Sequence, residues 1–354
     1  MTTQTVSSPA SLFPILPQEA AANGLARLAA AAPHVADGHL IDFRALEVRS
    51  LLNKSVSRRQ LSLAYSINPY RGCEFGCRYC YARYTHDFLS ATGAPDPEAF
   101  ERKIYLKENA AWLLEQELRK IDPAQEIALG TATDPYQPIE RKARITRSLL
   151  EVFARRSGYR LGIITKSDLI TRDIDLLQRI AERNTLVLHL TITTPNAKLA
   201  RLLEPRAPRP DLRLAAVRKL RDANLHTGVL CSPLLPGITD DERSMDRMAA
   251  KVAEANASFL AAEPLFLKSC SRPTFLSFVR EHYPQLTADY ERRFQDRDFA
   301  DRAYRQTLSD RVANACRKHG LPQRSTDALL TRDVGHLRKH PVNIGAAIQT
   351  TLFA

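Results

Sequence analysis

The chain has 354 residues, of which 44% are hydrophobic and 25% are charged. It is long enough for a full hydrophobic core, and its composition is that of an ordinary globular protein. No apolar run approaches the ~18 residues of a membrane helix, and the first residues lack a secretory signal, so we expect a cytoplasmic protein with no membrane partner. The net charge of +12 favours nucleic acid as a partner, although basic residues also serve simply to solvate a surface.

Along the chain, residues 1–50 are rich in Ala, Pro and Ser and contain one amphipathic piece, NGLARLAAAA. They are predicted to form a flexible or loosely packed extension. From about residue 60, short apolar runs alternate with segments of helical period, which indicates βαβ units and a parallel sheet. The predicted strands cover 61–68, 126–132, 160–166, 185–193, 225–232 and 258–266.

These units predict the fold class α/β for a core domain over residues 51–270. Six βα units fall short of a closed eight-stranded barrel, so an open, partial (β/α)6 barrel of the TIM-like kind is the preferred architecture. A doubly wound sheet remains the alternative, because periodicity does not separate the two. Residues 271–354 are predicted to be a helical C-terminal region that ends in a basic tail.

Three of the six cysteines lie in one short stretch, NPYRGCEFGCRYCYAR, just past the first predicted strand. Cys73, Cys77 and Cys80 are spaced C-x3-C-x2-C on a loop that Gly72 and Gly76 make pliable. In a reducing compartment, clustered thiols are more often metal ligands than disulfides. Zinc would need a fourth ligand, whereas a cluster of four irons can be held by three thiolates with its last iron left open.

This spacing, with the aromatic Tyr79 before the last cysteine, resembles the radical S-adenosylmethionine (SAM) superfamily. The resemblance implies a partial barrel of the radical SAM type and a 4Fe-4S cluster held by Cys73, Cys77 and Cys80. Its open iron would bind SAM, which is cleaved reductively to a 5′-deoxyadenosyl radical. A reducing partner such as flavodoxin or ferredoxin is implied as well. Tyr79 would line the adenine of the cofactor.

A wider set of segments is similar to the spore photoproduct lyase-like branch, often described as DNA repair photolyases. The segments are SINPYRGCEFGCRYCYAR, GTATDPYQPIERKARITR, IITKSDLITRDIDLL and LEPRAPRP, and the similarity covers about residues 45–320. It implies DNA as the substrate and cofactor contacts from a hydroxyl after strand two, a lysine ending strand three and a hydroxyl ending strand four. Thr133, Lys166 and Thr193 or Thr194 stand at these places.

Elementary chemistry agrees for Lys166, because a lysine that closes an apolar strand is desolvated unless it meets an anion such as a carboxylate. Simple surface exposure is the alternative. Glu204 and Arg206, in EPRAP, are predicted either to pair with each other at the rim or to reach the cofactor, and Arg206 is a candidate cofactor contact. Asp134 is either a turn residue before a proline or a site carboxylate.

One position departs from the lyase pattern. Lyases that reverse spore photoproduct carry a hydrogen-donating cysteine beside the hydroxyl after strand two, where this chain has Ala132. The same reaction is therefore in doubt. Cys231 ends strand five and Cys270 follows strand six. Both are candidate catalytic thiols, with an inert buried thiol as the alternative for each. Cys316 lies in the helical C-terminal part and is predicted to be a packing residue.

Basic and aromatic residues interleave around the cysteines, in the pattern by which unpaired bases are gripped or a loop is packed. They are Tyr70, Tyr81, Tyr84, Arg71, Arg78 and Arg83. At the C-terminus, Gln349, Leu352 and Phe353 resemble the short peptide by which bacterial repair proteins dock on the sliding clamp; chance or packing of the tail is the alternative.

The leading interpretation is thus a radical SAM enzyme that acts on DNA. A second interpretation keeps this chemistry but directs it at RNA, a peptide or a small metabolite. A third, from another class, is a non-catalytic iron-sulfur protein that binds nucleic acid or senses redox state. Only the enzyme requires a cofactor pocket at the strand ends, near Lys166, Thr133 and Thr193.

Overall fold

The structure is a computed structural model that describes residues 24–38, 40–54, 63–89 and 98–322. Its first part forms a small mixed sheet in the order β1 (His34–Gly38), β2 (Ile41–Ala45), β6 (Lys103–Leu106) and β5 (Tyr70–Arg71). The elements are α1 (Leu25–Ala31), β1 (His34–Gly38), β2 (Ile41–Ala45), β3 (Leu52–Lys54), β4 (Leu63–Ile67), β5 (Tyr70–Arg71), a 3-10 helix (Tyr81–Leu89), α2 (Ala99–Arg102) and β6 (Lys103–Leu106).

The small sheet changes one expectation. Residues 25–50, predicted to be loosely packed, instead contribute α1, β1 and β2. Strand β2 lies parallel to β6 and antiparallel to β1. Ile41 and Phe43 on β2 are buried, because a strand with alternating apolar residues gains stability by placing that face on a core.

The remaining strands alternate with helices. The elements are α3 (Ala110–Glu117), β7 (Glu126–Leu129), α4 (Glu140–Ala143), α5 (Ile145–Ala154), β8 (Arg160–Thr165), α6 (Ile174–Ala181), β9 (Thr185–Thr191), α7 (Ala197–Leu203), α8 (Pro210–Asp222), β10 (Thr227–Leu234), α9 (Glu242–Glu254), β11 (Leu260–Pro264), α10 (Arg272–His282), α11 (Thr287–Phe294) and α12 (Arg302–Lys318). Short 3-10 helices cover Leu118–Lys120, Asp168–Asp173 and Pro284–Leu286.

The main sheet confirms the partial barrel. Its order is β11-β10-β9-β8-β7-β4-β3, and the six strands from β4 to β11 are parallel and adjacent in chain order. A doubly wound sheet would reverse its strand order at a switch point, and this one does not. The six predicted strands are these six parallel strands, and their carboxyl ends therefore meet at one edge.

The two faces of this sheet have different neighbours. Val187, Leu230 and Ala261 pack around Phe259 on the inner face. An added Cβ at Gly228 would lie 2.3 Å from the Phe259 ring, so only glycine fits there. Alternate strand residues point the other way and pack under the helices.

The predicted helical C-terminal region is present as α10, α11 and α12. Phe275, Phe278, Tyr290 and Phe294 from α10 and α11 share a hydrophobic cluster with the cysteine loop. Cys316 on α12 is buried, and its sulfur lies 3.9 Å from a backbone oxygen of β11, as expected of a packing residue. Within the described ranges, no helix combines the length and apolarity needed to span a membrane.

Candidate cluster and cofactor site

The three predicted metal ligands lie on one loop, residues 72–80, after β5. Cys73 and Cys77 are buried and Cys80 is half-buried. Gly72 starts the loop with φ +87°, and an added Cβ would lie 2.8 Å from two backbone carbonyl oxygens. The Cys73 amide donates to the Phe100 carbonyl at 3.0 Å. The backbone thus sets the position of the first sulfur.

The donor set fits an iron-sulfur cluster. Burial raises the pKa of all three thiols, and the pKa of Cys73 is raised further by Asp134, Cys77 and Cys80, so the sulfurs belong to one site. A buried thiol ionises readily only when a metal replaces its proton. Among the described residues no three ligand-type side chains converge on one metal ion. Sulfurs that each bind a different iron need not converge in that way.

Polar side chains from the segment after β7 hold the cysteine loop. Thr133 Oγ1 donates to the Gly72 carbonyl at 2.5 Å, and Gln137 Nε2 donates to Thr133 Oγ1 at 3.1 Å. Gln137 Oε1 accepts from the Glu74 amide at 2.9 Å, while Glu74 Oε1 accepts from the Ile139 amide at 2.7 Å. Thr133, predicted to contact the cofactor, therefore has its hydroxyl on the loop backbone; a cofactor contact stays a prediction.

Four predicted residues meet at the carboxyl ends of β8 and β9. The Tyr79 hydroxyl donates to Glu204 Oε1 and lies 2.8 Å from Thr193 Oγ1, which also donates to Glu204 at 2.8 Å. Lys166 Nζ lies 4.0 Å from Glu204 Oε1 and 5.7 Å from the Tyr79 ring centre. Its side chain is only 16% exposed. Lys166 thus faces this group rather than open solvent.

Arg213 is the functional-site residue that sequence reasoning missed. It is buried on α8, and its Nη2 lies 2.5 Å from Glu204 Oε2. Glu204 therefore pairs with Arg213, not with Arg206 as one sequence interpretation had it. Burial alone would raise the pKa of Glu204, but Arg213, Lys166 and the Tyr79 hydroxyl outweigh it and hold that pKa at about 2. The available signal was an arginine among the apolar residues of a helix.

The other cofactor candidates have different surroundings. Thr194 Oγ1 accepts the Asn196 amide at 3.2 Å, just before α7. Asp134 accepts from the Tyr136 amide at 2.9 Å, as a turn residue does. It also accepts from Thr165 Oγ1 at 2.6 Å and from the Lys166 amide at 2.7 Å, and it lies near enough to Cys73 to raise the pKa of that thiol, so both of its interpretations stay predictions. Arg206 is exposed, and its Nη2 would lie 2.9 Å from a Cβ at Gly76. It lies against the outer side of the cysteine loop.

The two candidate catalytic thiols differ in access. Cys231 is fully buried on the helix-facing side of β10, and its thiol donates to the Thr193 carbonyl at 3.6 Å. Burial raises the pKa of Cys231 to about 12. Cys270 is half-buried, and its thiol lies 3.7 Å from the Tyr81 carbonyl. Its neighbour Ser271 donates to the Cys80 carbonyl at 2.5 Å, so Cys270 lies beside the cysteine loop.

The basic and aromatic residues near the cysteines separate into two groups. Tyr70 is buried against Glu140, and Arg83 is buried against Glu101, so these two pack the loop. The second group reaches solvent: Tyr81 is 37% exposed and Tyr84 is half-buried.

Residues that follow β11, the last strand of the barrel, pack against Tyr81 and Tyr84. The Phe266 ring centre lies 5.7 Å from that of Tyr81, and it stacks on Phe299 at 4.4 Å. Lys268 Nζ lies 4.8 Å from the Tyr84 ring centre and 5.6 Å from that of Phe266. We call Tyr81, Tyr84, Phe266, Lys268 and Phe299 the aromatic rim. It lies at the carboxyl ends of the strands, beside Cys80.

The predicted clamp-binding residues Gln349, Leu352 and Phe353 lie outside the described residues.

Comparison with known proteins agrees with this site. The Radical SAM superfamily matches residues 67–249, which include the cysteine loop, Lys166 and the Glu204–Arg213 pair. An uncharacterized protein of Mycobacterium tuberculosis is 32% identical over 282 residues, covering 79% of this chain and 82% of that protein. An uncharacterized protein of Methanocaldococcus jannaschii is 28% identical over 221 residues, covering 62% and 77%.

Solved structures show the same fold. Spore photoproduct lyase complexed with dinucleoside spore photoproduct has a TM-score of 0.57 at 18% identity, covering 78% of this chain and 79% of that one. A variant of that lyase with bound AdoMet gives the same TM-score, identity and coverage. The chain therefore belongs to the radical SAM superfamily and is a radical enzyme whose cofactors are a 4Fe-4S cluster and S-adenosylmethionine.

Proposed function

We propose that Cys73, Cys77 and Cys80 hold the cluster, that SAM binds beside Lys166, and that the enzyme acts on DNA. The single observation that carries the DNA assignment is the aromatic rim, with its lysine, next to the cysteine loop. A base stacks on aromatic faces irrespective of sequence, while a cation attracts phosphate. The net charge of +12 supports the same partner.

The chain's own residues supply binding and orientation at the cofactor site. When bound, the cofactor pair supplies one-electron cleavage and a carbon radical. The half-buried Lys166 and the buried Arg213 both face the carboxylate of Glu204, while Asp134 is the second carboxylate beside Lys166. Lys166 is the more accessible of the two and would pair with the carboxylate of SAM. Tyr79 and Thr193 orient Glu204 and thereby set the position of Lys166.

The position of the proposed cluster at the strand ends supports an unpaired base as the substrate. A radical removes a hydrogen atom only from a carbon held close to it, so the substrate must reach the strand ends beside the cluster. A base inside a duplex cannot do so and has to be unpaired or flipped out. The fold likeness to a lyase complexed with dinucleoside spore photoproduct is in line with such a substrate.

Cys270 is our proposed hydrogen donor, in preference to Cys231. A donor thiol must meet the substrate radical, and Cys270 lies beside Cys80 and the rim, whereas Cys231 points towards the helices. Donation would break the S–H bond, form a C–H bond on the substrate and leave the unpaired electron on the Cys270 sulfur. Ala132, which packs near the cysteines, offers no thiol in this chain.

The enzyme assignment is tested by anaerobic reconstitution with iron and sulfide, followed by dithionite and SAM. We expect 5′-deoxyadenosine from the native protein and none above background from Cys77→Ala. Iron and labile sulfide should fall in the same variant. Equal product from both proteins would overturn the cluster assignment, and a reconstituted protein that binds SAM without cleaving it would favour the non-catalytic interpretation.

The nucleic-acid assignment is tested by fluorescence anisotropy with a labelled single-stranded thymidine 20-mer. Phe266→Ala should weaken binding about fivefold or more, since one stacked base contributes ~1–3 kcal/mol. Trp112→Ala is the matched control, because Trp112 is 65% exposed on α3, a helix that packs against α5. Affinity that does not fall as salt rises, or equal losses in both variants, would argue against DNA. A labelled uridine 20-mer is measured in parallel, and tighter binding of that RNA than of the thymidine 20-mer would point to RNA.

Contact with the sliding clamp through Gln349, Leu352 and Phe353 remains a separate proposal. Co-purification with the clamp should be lost when residues 349–354 are removed. Retention of the clamp by the shortened chain would contradict it.

A further inference from the structure

Two cations lie on one face of the small sheet, Arg71 on β5 and Lys107 just after β6. The two strands pair antiparallel, and Arg71 lies opposite Tyr105. The Lys107 amide donates to the Pro69 carbonyl at 3.2 Å, which continues this ladder by one residue pair. Because alternate residues of a strand share a face, Lys107 lies on the same face as Tyr105 and therefore as Arg71.

Neither cation has a carboxylate partner in the part of the chain that the structure describes. Lys107 is 7% exposed, and its ammonium takes part in no hydrogen bond or ion pair there. The half-buried Arg71 donates from Nη1 to the Thr85 carbonyl at 2.7 Å, a neutral acceptor. Buried cations are ordinarily paired, because an uncompensated charge is costly to remove from water. This pair therefore has the character of a site that awaits an anion.

The electrostatics around Lys107 agree. Burial, and after it the charge of Arg71, lowers the pKa of the Lys107 ammonium to about 7, while Glu117 acts in the opposite direction. The Glu117 carboxylate accepts from the backbone amides of residues 51 and 52 at 2.7–3.1 Å, so it is held at the start of β3. An anion beside Lys107 and Arg71 would offset both the burial and the repulsion.

The two cations adjoin the aromatic rim. Thr85, whose carbonyl accepts from Arg71, directly follows Tyr84. Burial lowers the pKa of Arg71, and Tyr105 and Tyr84 act against it, so both rings lie near its guanidinium. Arg71 and Lys107 therefore lie at the Tyr84 end of the rim.

We propose that Arg71 and Lys107 form a phosphate-binding subsite for the strand whose base stacks on the aromatic rim. The proposal rests on the proposed function for the identity of that strand, whereas the affinity for phosphate depends on the two cations alone. A guanidinium binds two phosphate oxygens at once through its planar fork, and an ammonium adds a point charge. The phosphate group belongs either to the interior of the strand or to its end, since both offer oxygens to the pair.

A ligand site of this kind predicts the effect of Lys107 on stability. Removing one partner of a buried ion pair is destabilising, whereas removing a buried cation that has no partner relieves a cost. Lys107→Met keeps the length of the side chain and should leave the urea midpoint of unfolding unchanged or raise it, in buffer without phosphate. A lower midpoint would make Lys107 a packing residue and would count against the subsite.

The binding test uses fluorescence anisotropy of the reconstituted protein with the labelled thymidine 20-mer over a series of chloride concentrations. In Lys107→Met the slope of log affinity against log salt should become shallower by about 0.7, the contribution of one single-strand phosphate. Arg71→Gln is a second, independent variant and should lose a similar slope. Its iron content is measured alongside, because Arg71 lies two residues before Cys73. Lys219→Met is the matched control, because Lys219 is exposed in the last turn of α8, and it should retain the native slope.

Two further probes identify the ligand. Binding of inorganic phosphate alone, measured by equilibrium dialysis, should be weakened at least about tenfold in Lys107→Met and unchanged in Lys219→Met. Thymidine 20-mers with and without a 5′-phosphate locate the group on the strand. A loss in Lys107→Met that is confined to the phosphorylated strand assigns the subsite to the strand end, and an equal loss with both strands assigns it to the interior.

Unchanged slopes in both Lys107→Met and Arg71→Gln would overturn the proposal, and so would an equal change in Lys219→Met. The proposed function would survive either result, because the native protein would still bind the strand in a salt-dependent manner. Salt-independent binding by the native protein would instead count against the proposed function. The dialysis of inorganic phosphate would then still decide whether the two cations form an anion site.

Discussion

Replacement of Glu204 by glutamine tests the buried charge behind the proposed SAM site. Glu204 is 1% exposed and accepts from Tyr79 and Thr193, with Arg213 on its other oxygen. The glutamine has nearly the same shape and keeps an acceptor oxygen for the hydroxyls. What it removes is the negative charge, which leaves Arg213 buried beside Lys166 without an anion. Breaking a buried pair in this way costs more than the pair itself contributes.

The magnitude follows from the pKa. Burial raises the pKa of Glu204, but Arg213 and Lys166 outweigh it and lower that pKa from the ordinary 4.5 to about 2. Each pKa unit corresponds to ~1.4 kcal/mol, so the ionised carboxylate stabilises the fold by about 3 kcal/mol at pH 7. Because the folded pKa is the lower one, this stability is present above about pH 4.5 and is lost as pH falls towards 2.

Urea unfolding followed by circular dichroism provides the assay, on metal-free protein because acid destroys the cluster. We expect Glu204→Gln to lower the free energy of unfolding by about 3 kcal/mol at pH 7, and by about half of that at pH 3. The exposed Glu182→Gln is the control and should change it by less than about 0.5 kcal/mol. A cost that is equal at pH 7 and pH 3, or below about 1 kcal/mol at pH 7, would refute the reasoning.

Four further outcomes are expected. Lys166→Met should weaken SAM binding at least tenfold in equilibrium dialysis while iron content stays at the native value; unchanged binding would remove Lys166 from the site. Gly72→Ala, whose Cβ would meet two backbone oxygens at 2.8 Å, should lower the free energy of unfolding by about 3 kcal/mol or more and abolish iron retention. Gly76→Ala should cost about 1 kcal/mol, since its Cβ meets only the end of a flexible side chain at 2.9 Å, and equal costs would contradict this comparison. Brief exposure to N-ethylmaleimide should label Cys270 before Cys231, as read by peptide mass spectrometry, and the reverse order would contradict the access seen here.

Local patterns were enough for much of the fold and for the choice of the three cysteines that are proposed as cluster ligands. Each of the six parallel strands is a short apolar run between turn signals. Such a run is recognised from its own residues, without knowledge of the segments that pack against it. The thiols of Cys73, Cys77 and Cys80 lie within eight residues, so their convergence follows from chain geometry. Lys166 is proposed as a cofactor contact for a similar reason, because the end of a strand has a defined place in a barrel.

Contacts between distant segments needed the tertiary structure. Cys270 lies beside Tyr81 although 189 positions separate them, and no local pattern specifies that distance. The choice of Arg213 as the partner of Glu204 depends on which face of a helix is buried, and the inward or outward direction of Cys231 depends on strand register. The βα rhythm and the class of chemistry are therefore written in the local residue pattern. Only the packing of helices and strands decided which charges meet, because that packing minimises exposed apolar area and unpaired buried charge over the whole chain at once.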